Sequence, residues 1–215
     1  MSNSLLKTIL FELKSFIGRN IIRSYPKVLP DKNYLNLGSS NIINKNFINA
    51  DFYFFYDKKE KKFVDLDWQL DLRFPLKCEN QVFDGVFTEH TLEHLNFNDA
   101  SNLVKELHRI MKTGAYLRIT VPDLSRYIHY YLKQYDEIQI SEFDRRFSSG
   151  CSAIRSLTQN YGHLSVWDFE ELKSVLKQAG FTDIKQMAFG KSQDPQLNMD
   201  LIERSWETLY VEAKK

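Results

Sequence analysis

From Val82 to Asp123 the chain passes through an apolar strand pattern, a polar tip, an amphipathic helical pattern, a glycine turn and a second apolar run. Few folds accept that order. Strand, crossover helix and strand make a βαβ unit, and such units build mostly parallel sheets with helices on both faces. The first strand reads Val82-Phe83-Asp84-Gly85-Val86-Phe87-Thr88, and its end carries Glu89, His90, Glu93 and His94. The helix is expected from Asn98 to Met111, with Asn98 as cap and Gly114 just past its end. Leu103, Val104, Leu107, Ile110 and Met111 form its apolar face, and Ala115 to Val121 is the next strand. In open α/β sheets ligands bind beyond the carboxyl ends of the strands. Chemistry is therefore expected at the polar tip after Thr88.

The flanking sequence extends the same plan. Tyr34 to Leu37 predicts a short strand running into Gly38-Ser39-Ser40-Asn41. Phe47 to Asp51 predicts a second strand, and Phe63 to Asp67 a third, with Asp71 to Leu76 as its exit loop. The charge run Asp57 to Lys62 reads as a solvated turn. A parallel crossover usually needs about a dozen residues or more. The stretch from Gly38 to Phe47 is shorter, so the first crossover helix is expected to be missing or reduced to a turn. Val166 to Ala179 predicts a helix closed by Gly180, followed by strands at Thr182 to Phe189 and Glu207 to Ala213.

Two segments stand apart. Asp123 to Ser165 is too long for an ordinary connection and reads as an insertion, at about 124–165, that covers a site. It opens with a helix from Leu124 to Tyr135 and interleaves Tyr127, Tyr130, Tyr131, Tyr135 and Tyr161 with charges. Residues 1–30 form an amino-terminal arm before a single domain at 31–215. In the arm Leu5, Leu6, Ile9, Leu13, Phe16 and Ile17 recur at helical spacing, Ser4 is placed to cap, and Pro26 and Pro30 end the pattern. Lys7, Lys14, Arg19, Arg23 and Lys27 make it basic. Residues 5–23 are expected either to pack on the domain or a partner subunit, or to lie on an anionic membrane surface.

Bulk properties exclude some classes. The net charge of +1 over 215 residues gives no field to attract nucleic acid. Cys78 and Cys151 have no second Cys or His at metal-ligand spacing, so neither a zinc knuckle nor a disulfide framework is expected. No run approaches the ~20 apolar residues of a membrane span, and the start lacks a secretion signal. The expected setting is cytoplasmic, peripheral at the inner membrane face if the arm touches it.

From Tyr34 to Ala213 the chain resembles the type 11-like branch of S-adenosylmethionine-dependent methyltransferases. The resemblance is carried by Leu35-Asn36-Leu37-Gly38-Ser39-Ser40, Phe47 to Asp51, Asp71-Leu72-Arg73-Phe74-Pro75-Leu76, Phe83-Asp84, Glu89 to Leu95, Leu117 to Leu124, and Leu176 through Phe181. It implies a Rossmann-like α/β fold: a seven-stranded sheet with helices on both faces, a shortened first crossover and an insertion after strand 5. It implies S-adenosylmethionine as cofactor and a sugar or small-molecule hydroxyl as acceptor. Gly38, Ser39 and Ser40 would meet the methionine part. Asp51, at the end of the second strand, would take the ribose hydroxyls. Asp71 and Leu72 would hold the adenine, with Glu89 and His90 near the methyl-bearing sulfur. Ser40 stands where the family usually has a second glycine.

His163, His90 and Asp123 are the candidate catalytic residues, with His163 the first choice of acceptor-side base and Asp123 the second. Asp51 and Asp123 also admit a plain capping role, and His163 a plain turn role. His90, Glu93 and His94 superficially resemble a zinc-binding helix, but the spacing departs from His-Glu-x-x-His, so no metal site is expected. Asp65, Asp67 and Asp71 lack the glycine and closing glutamate of a calcium loop. The missing Gly-x-Gly-x-x-Gly argues against a nicotinamide enzyme. The competing expectation is a decayed methyltransferase fold that serves as a partner subunit.

Overall fold

The computed structural model describes residues 3–28, 30–31, 33–134 and 137–215. The expected Ser4 cap rests on a side chain outside those described, and Tyr135 also lies outside the described residues. The elements are α1 (Asn3–Ile17) with a π turn (Gly18–Ile22), β1 (Tyr34–Leu37), β2 (Ile48–Asp51), β3 (Tyr56–Asp57), β4 (Lys62–Phe63), β5 (Trp68–Gln69) and β6 (Phe83–Glu89). Then come a 3-10 turn (Leu92–His94), α2 (Phe97–Ile110), β7 (Met111–Pro122), α3 (Leu124–Tyr131), α4 (Glu137–Asp144), α5 (Gly150–Gln159), α6 (Phe169–Ala179), β8 (Thr182–Met187) and β9 (Thr208–Lys214).

The central sheet has seven strands in the order β5-β2-β1-β6-β7-β9-β8. From β5 to β7 the pairs are parallel; β9 runs antiparallel to both β7 and β8. Parallel strands are covered on both faces and read as continuous apolar runs. Leu35, Leu37, Val86, Leu117, Ile119 and Val121 are accordingly buried, and they pack with Leu103, Leu107 and Ile110 of α2 and Leu172 and Leu176 of α6. Gly180 ends α6 at φ +101. No helix forms between Gly38 and Phe47, as the short spacing required. A second, smaller core joins Tyr127 and Tyr130 of α3 to Phe143 of α4 and Ala153 and Leu157 of α5. The insertion is thus a packed helical cap.

Some boundaries differ from expectation. The sheet's third strand is β5, not Phe63 to Asp67. Trp68 and Leu70 carry the buried apolar surface, whereas Phe63 is exposed and pairs with Tyr56 across the β3–β4 hairpin. The cap of α2 is Asn96, not Asn98: its Oδ1 accepts from Asp99 N at 3.0 Å. Gly114 does not close α2, because the chain turns extended at Met111 and Gly114 sits inside β7 at φ +85. The helix expected to Tyr135 ends at Tyr131, with Lys133 at φ +55.

Candidate active site

The chain leaves β1 toward β2 on one side and returns at β6 on the other, so the sheet order reverses between β1 and β6. Ligands bind at such a switch point. A cavity of about 520 Å³ opens there, against the tips of β1, β2 and β6. Gly38, Ser39, Ser40, Asp51, Asp71, Leu72, Glu89 and His90 all line it. The residues expected from sequence on the cofactor side therefore meet in one place.

Gly38 explains the close backbone approach. It adopts φ +72, and a Cβ there would lie 2.1 Å from Thr91 Oγ1. Only glycine fits both the angle and the space. The hydroxyl of Ser39 is buried and without a hydrogen-bond partner, so it is available to a ligand. Ser40 takes φ +50, and its N–H donates to Asp51 Oδ2 at 2.7 Å. Asp51 Oδ1 accepts from Phe52 N at 2.5 Å. Burial pushes the Asp51 carboxyl above the usual carboxylate range, against the pull of these two N–H bonds. A carboxylate at the end of the second strand, an unpartnered hydroxyl and a Cβ-free cradle together fit a ribose-bearing sulfonium cofactor.

Asp71 is more heavily engaged than its expected role implies. Its carboxylate accepts from Ser15 Oγ at 2.6 Å and from the Arg73 guanidinium at 2.7 Å. Burial works against its ionisation, yet the Arg73 and Ser15 bonds hold its carboxyl below the usual range. Arg73 also pairs with Glu12 at 2.7 Å. Asp71 thus fastens α1 to the loop after β5. Phe11 of α1 lines the cavity and stacks on Phe52, with ring centroids 4.3 Å apart. The arm is a wall of the site.

A second cavity of about 600 Å³ shares His90, His94 and Arg204 with the first. Tyr127, Arg146, Tyr161, His163 and Trp206 line its other side. His163 is held by Nδ1 to the Leu157 carbonyl at 2.7 Å. His90 sits at φ +47 with Nε2 2.8 Å from Thr208 Oγ1. Burial, with Arg204 nearby, lowers its pKa to about 3, so its ring is neutral. Glu89 accepts from Leu201 N at 3.1 Å, and burial raises its pKa. Asp123 is not brought to either cavity: its Oδ1 accepts from Ser125 N at 3.0 Å and caps α3. A wider cleft of about 1130 Å³ lies at the amino ends of β1 and β2, lined by Tyr34, Phe47 and Asp57. Strand polarity argues against it as the reaction site.

Sequence reasoning missed Arg204, Phe11, Phe52 and Thr91. Arg204 lies in a stretch with no periodicity to read. Thr91 had a signal: it faces Gly38 from the polar tip already singled out.

A family model described as a methyltransferase domain matches residues 17–186. No curated protein matches. Among solved structures, a SAM-dependent methyltransferase from Archaeoglobus fulgidus aligns with a TM-score of 0.52 at 17% identity, covering 100% of both chains. A Nostoc punctiforme protein described as a candidate O-methyltransferase gives 0.50 at 12% identity, over 98% of this chain and 58% of its own. A Bordetella parapertussis protein described as "possible exported protein" gives 0.53 at 12% identity, over 95% and 67%. At these identities the likeness is one of fold.

Proposed function

The chain belongs to the S-adenosylmethionine-dependent methyltransferases of the Rossmann-like class, and from that premise we propose that it methylates a hydroxyl of a small molecule or surface-glycan sugar seated in the second cavity. One observation carries this reading: the two cavities meet at His90, His94 and Arg204. An acceptor on the far side of that junction would face the reactive end of a cofactor whose ribose Asp51 would hold. Tyr161 offers an exposed ring face to a sugar, and Arg146, stacked on Trp206 and paired with Glu142, offers a polar anchor.

When bound, the cofactor supplies an electrophilic methyl group on sulfur; the protein supplies position and a route for the proton. Gly38, Ser39 and Ser40 receive the methionine part. Phe52 and Leu72 receive the adenine. Because a carbonyl only accepts, His163 Nδ1 carries the proton in its bond to Leu157, and Nε2 keeps the lone pair of a base. Neutral His90 closes the junction without adding charge beside a sulfonium.

No helix among the described residues is long and apolar enough to cross a membrane. Leu5, Leu6, Ile9 and Leu13 of α1 are nonetheless exposed, which supports contact of this face with a second subunit or an anionic membrane surface. The test of the reading is calorimetric titration with S-adenosylmethionine and S-adenosylhomocysteine, followed by an acceptor screen with nucleotide sugars and glycan intermediates. Micromolar binding and label transfer to a hydroxyl are expected. Absent cofactor binding would favour a partner subunit, and transfer to nitrogen or carbon would refute the acceptor class.

A further inference from the structure

Glu93 is anomalous among the residues of the second cavity. Its side chain is 1% exposed, and neither carboxylate oxygen has a hydrogen-bond partner. Oε1 lies 3.3 Å from His90 Nδ1. Thr208 Oγ1 donates its proton to the Arg204 carbonyl at 2.7 Å. His90 Nε2 must therefore be the donor to Thr208, and its Nδ1 turns a lone pair toward the carboxylate. Two lone pairs so placed require either a shared proton or a metal cation beside them.

His94 and His163 complete the group. One ligand atom from each of Glu93, His94 and His163 lies within 4.8 Å of the other two. The two imidazoles stand edge to face with centroids 5.1 Å apart. His163 donates through Nδ1 to the Leu157 carbonyl, and the His94 ring lies in the field of the Gly162 backbone, which favours its protonated form. The His163 ring therefore turns the lone pair of Nε2 outward. An imidazole held by a backbone carbonyl on one nitrogen and free on the other is the arrangement of metal-ligating histidines. The backbone fixes it further: Leu164 N and Ser165 N donate to the Glu93 carbonyl at 2.7 and 3.2 Å, fastening the His163 loop to the turn that carries Glu93 and His94.

We propose that Glu93, His94 and His163 bind one divalent transition-metal ion, with Zn²⁺ the best fit. Two imidazoles and one carboxylate suit zinc, and three protein ligands leave a position open toward the cavity. Bonds of about 2.0–2.2 Å place tetrahedral donors about 3.4 Å apart, so the ligand atoms, now within 4.8 Å of one another, can reach that spacing by small side-chain movements. The helix motif weighed in the sequence fails because the third ligand comes from the far end of the insertion. On the acceptor reading above, the open position takes the acceptor hydroxyl and lowers its pKa. The O–H proton leaves to water, the oxygen bonds to the methyl carbon, and the C–S electron pair stays on sulfur. His163 then holds the ion instead of taking the proton.

The test is calorimetric titration of Zn²⁺ into the chelator-stripped full chain. One ion per chain is expected. Glu93→Gln and His163→Ala should each weaken affinity by at least about tenfold, the lower end of what loss of an outer-shell partner costs. Both should keep the wild-type circular dichroism and S-adenosylhomocysteine affinity, and His108→Ala, outside the cluster, should bind Zn²⁺ normally. Absence of stoichiometric binding would overturn the proposal and put a proton between Glu93 and His90. Binding that survives both substitutions would overturn it by placing the ion elsewhere. The S-adenosylhomocysteine titration tests the methyltransferase reading separately.

Discussion

Asp51→Asn probes the cofactor site at the level of single atoms. In the wild type Oδ2 takes the Ser40 N–H at 2.7 Å and Oδ1 the Phe52 N–H at 2.5 Å. The remaining lone pairs of both oxygens are available to the ribose hydroxyls. Asn keeps one acceptor and turns the other into an NH₂, which must face either a backbone N–H or the ribose. At least one hydrogen bond to a charged acceptor is lost in the complex. Such a bond contributes about 1.5–3 kcal/mol, so S-adenosylhomocysteine affinity should fall about 10- to 150-fold. Isothermal titration measures this, with circular dichroism showing that the fold is kept. An affinity within about threefold of wild type, under one such bond, would refute the ribose assignment. The pH dependence has a definite sign. Burial raises the Asp51 carboxyl above its ordinary value in the free protein, and the ribose hydroxyls need the ionised form. Wild-type affinity should therefore weaken as pH falls through that raised value, and the Asn variant should lack the slope.

Two further substitutions test what holds the site in place. Arg118 is fully buried and bridges Asp200, at 2.6 Å, and Glu212, at 2.9 Å. Arg118→Met leaves two buried carboxylates without their cation, which should cost about 3–5 kcal/mol and lower Tm by about 6–20 °C. A loss below about 1 kcal/mol by urea unfolding would mean the cluster is hydrated or repacks. Ser15→Ala removes the buried 2.6 Å bond to Asp71, worth about 1–3 kcal/mol. Amide exchange should then quicken in α1 while β6 and β7 keep their protection. Unchanged α1 exchange would show that the arm is held by other contacts.

The sheet was legible because burial on both faces forces apolar runs of the kind seen at Leu35, Val86, Leu117 and Ile119. That the residues expected on the cofactor side line one cavity was legible because strand ends border the binding crevice in this fold class. β5 was misplaced because two residues, Trp68 and Gln69, are too few to show a period. Asp71 was identified as lining the cavity, but its bond to Ser15 joins positions far apart in the chain. No local pattern encodes such a contact. The same holds for Glu93, His94 and His163. Their spacing argued against a metal helix, and only the folded insertion brings the third residue alongside. Asp123 shows the converse: the sequence left both a catalytic and a capping role open, and in the fold it caps α3.

The docking of α1 bears on timing. Its contacts with the domain include a ring stack, an ion pair, a cation–π contact and a buried hydroxyl bond, and Leu5, Leu6, Leu10 and Leu13 are exposed. Gly18, just past its end, lies flat against the ring of Tyr53, where a Cβ would sit 2.3 Å from the nearest ring atom. A terminal helix with one apolar face exposed opens at a lower free energy than the sheet does. On the cofactor placement proposed above, the adenine end of the cavity would then be uncovered while the strand tips stay fixed. On that placement the residence time of spent cofactor would be set by the arm, and by whatever covers its outer face, separately from the geometry that orients the methyl group.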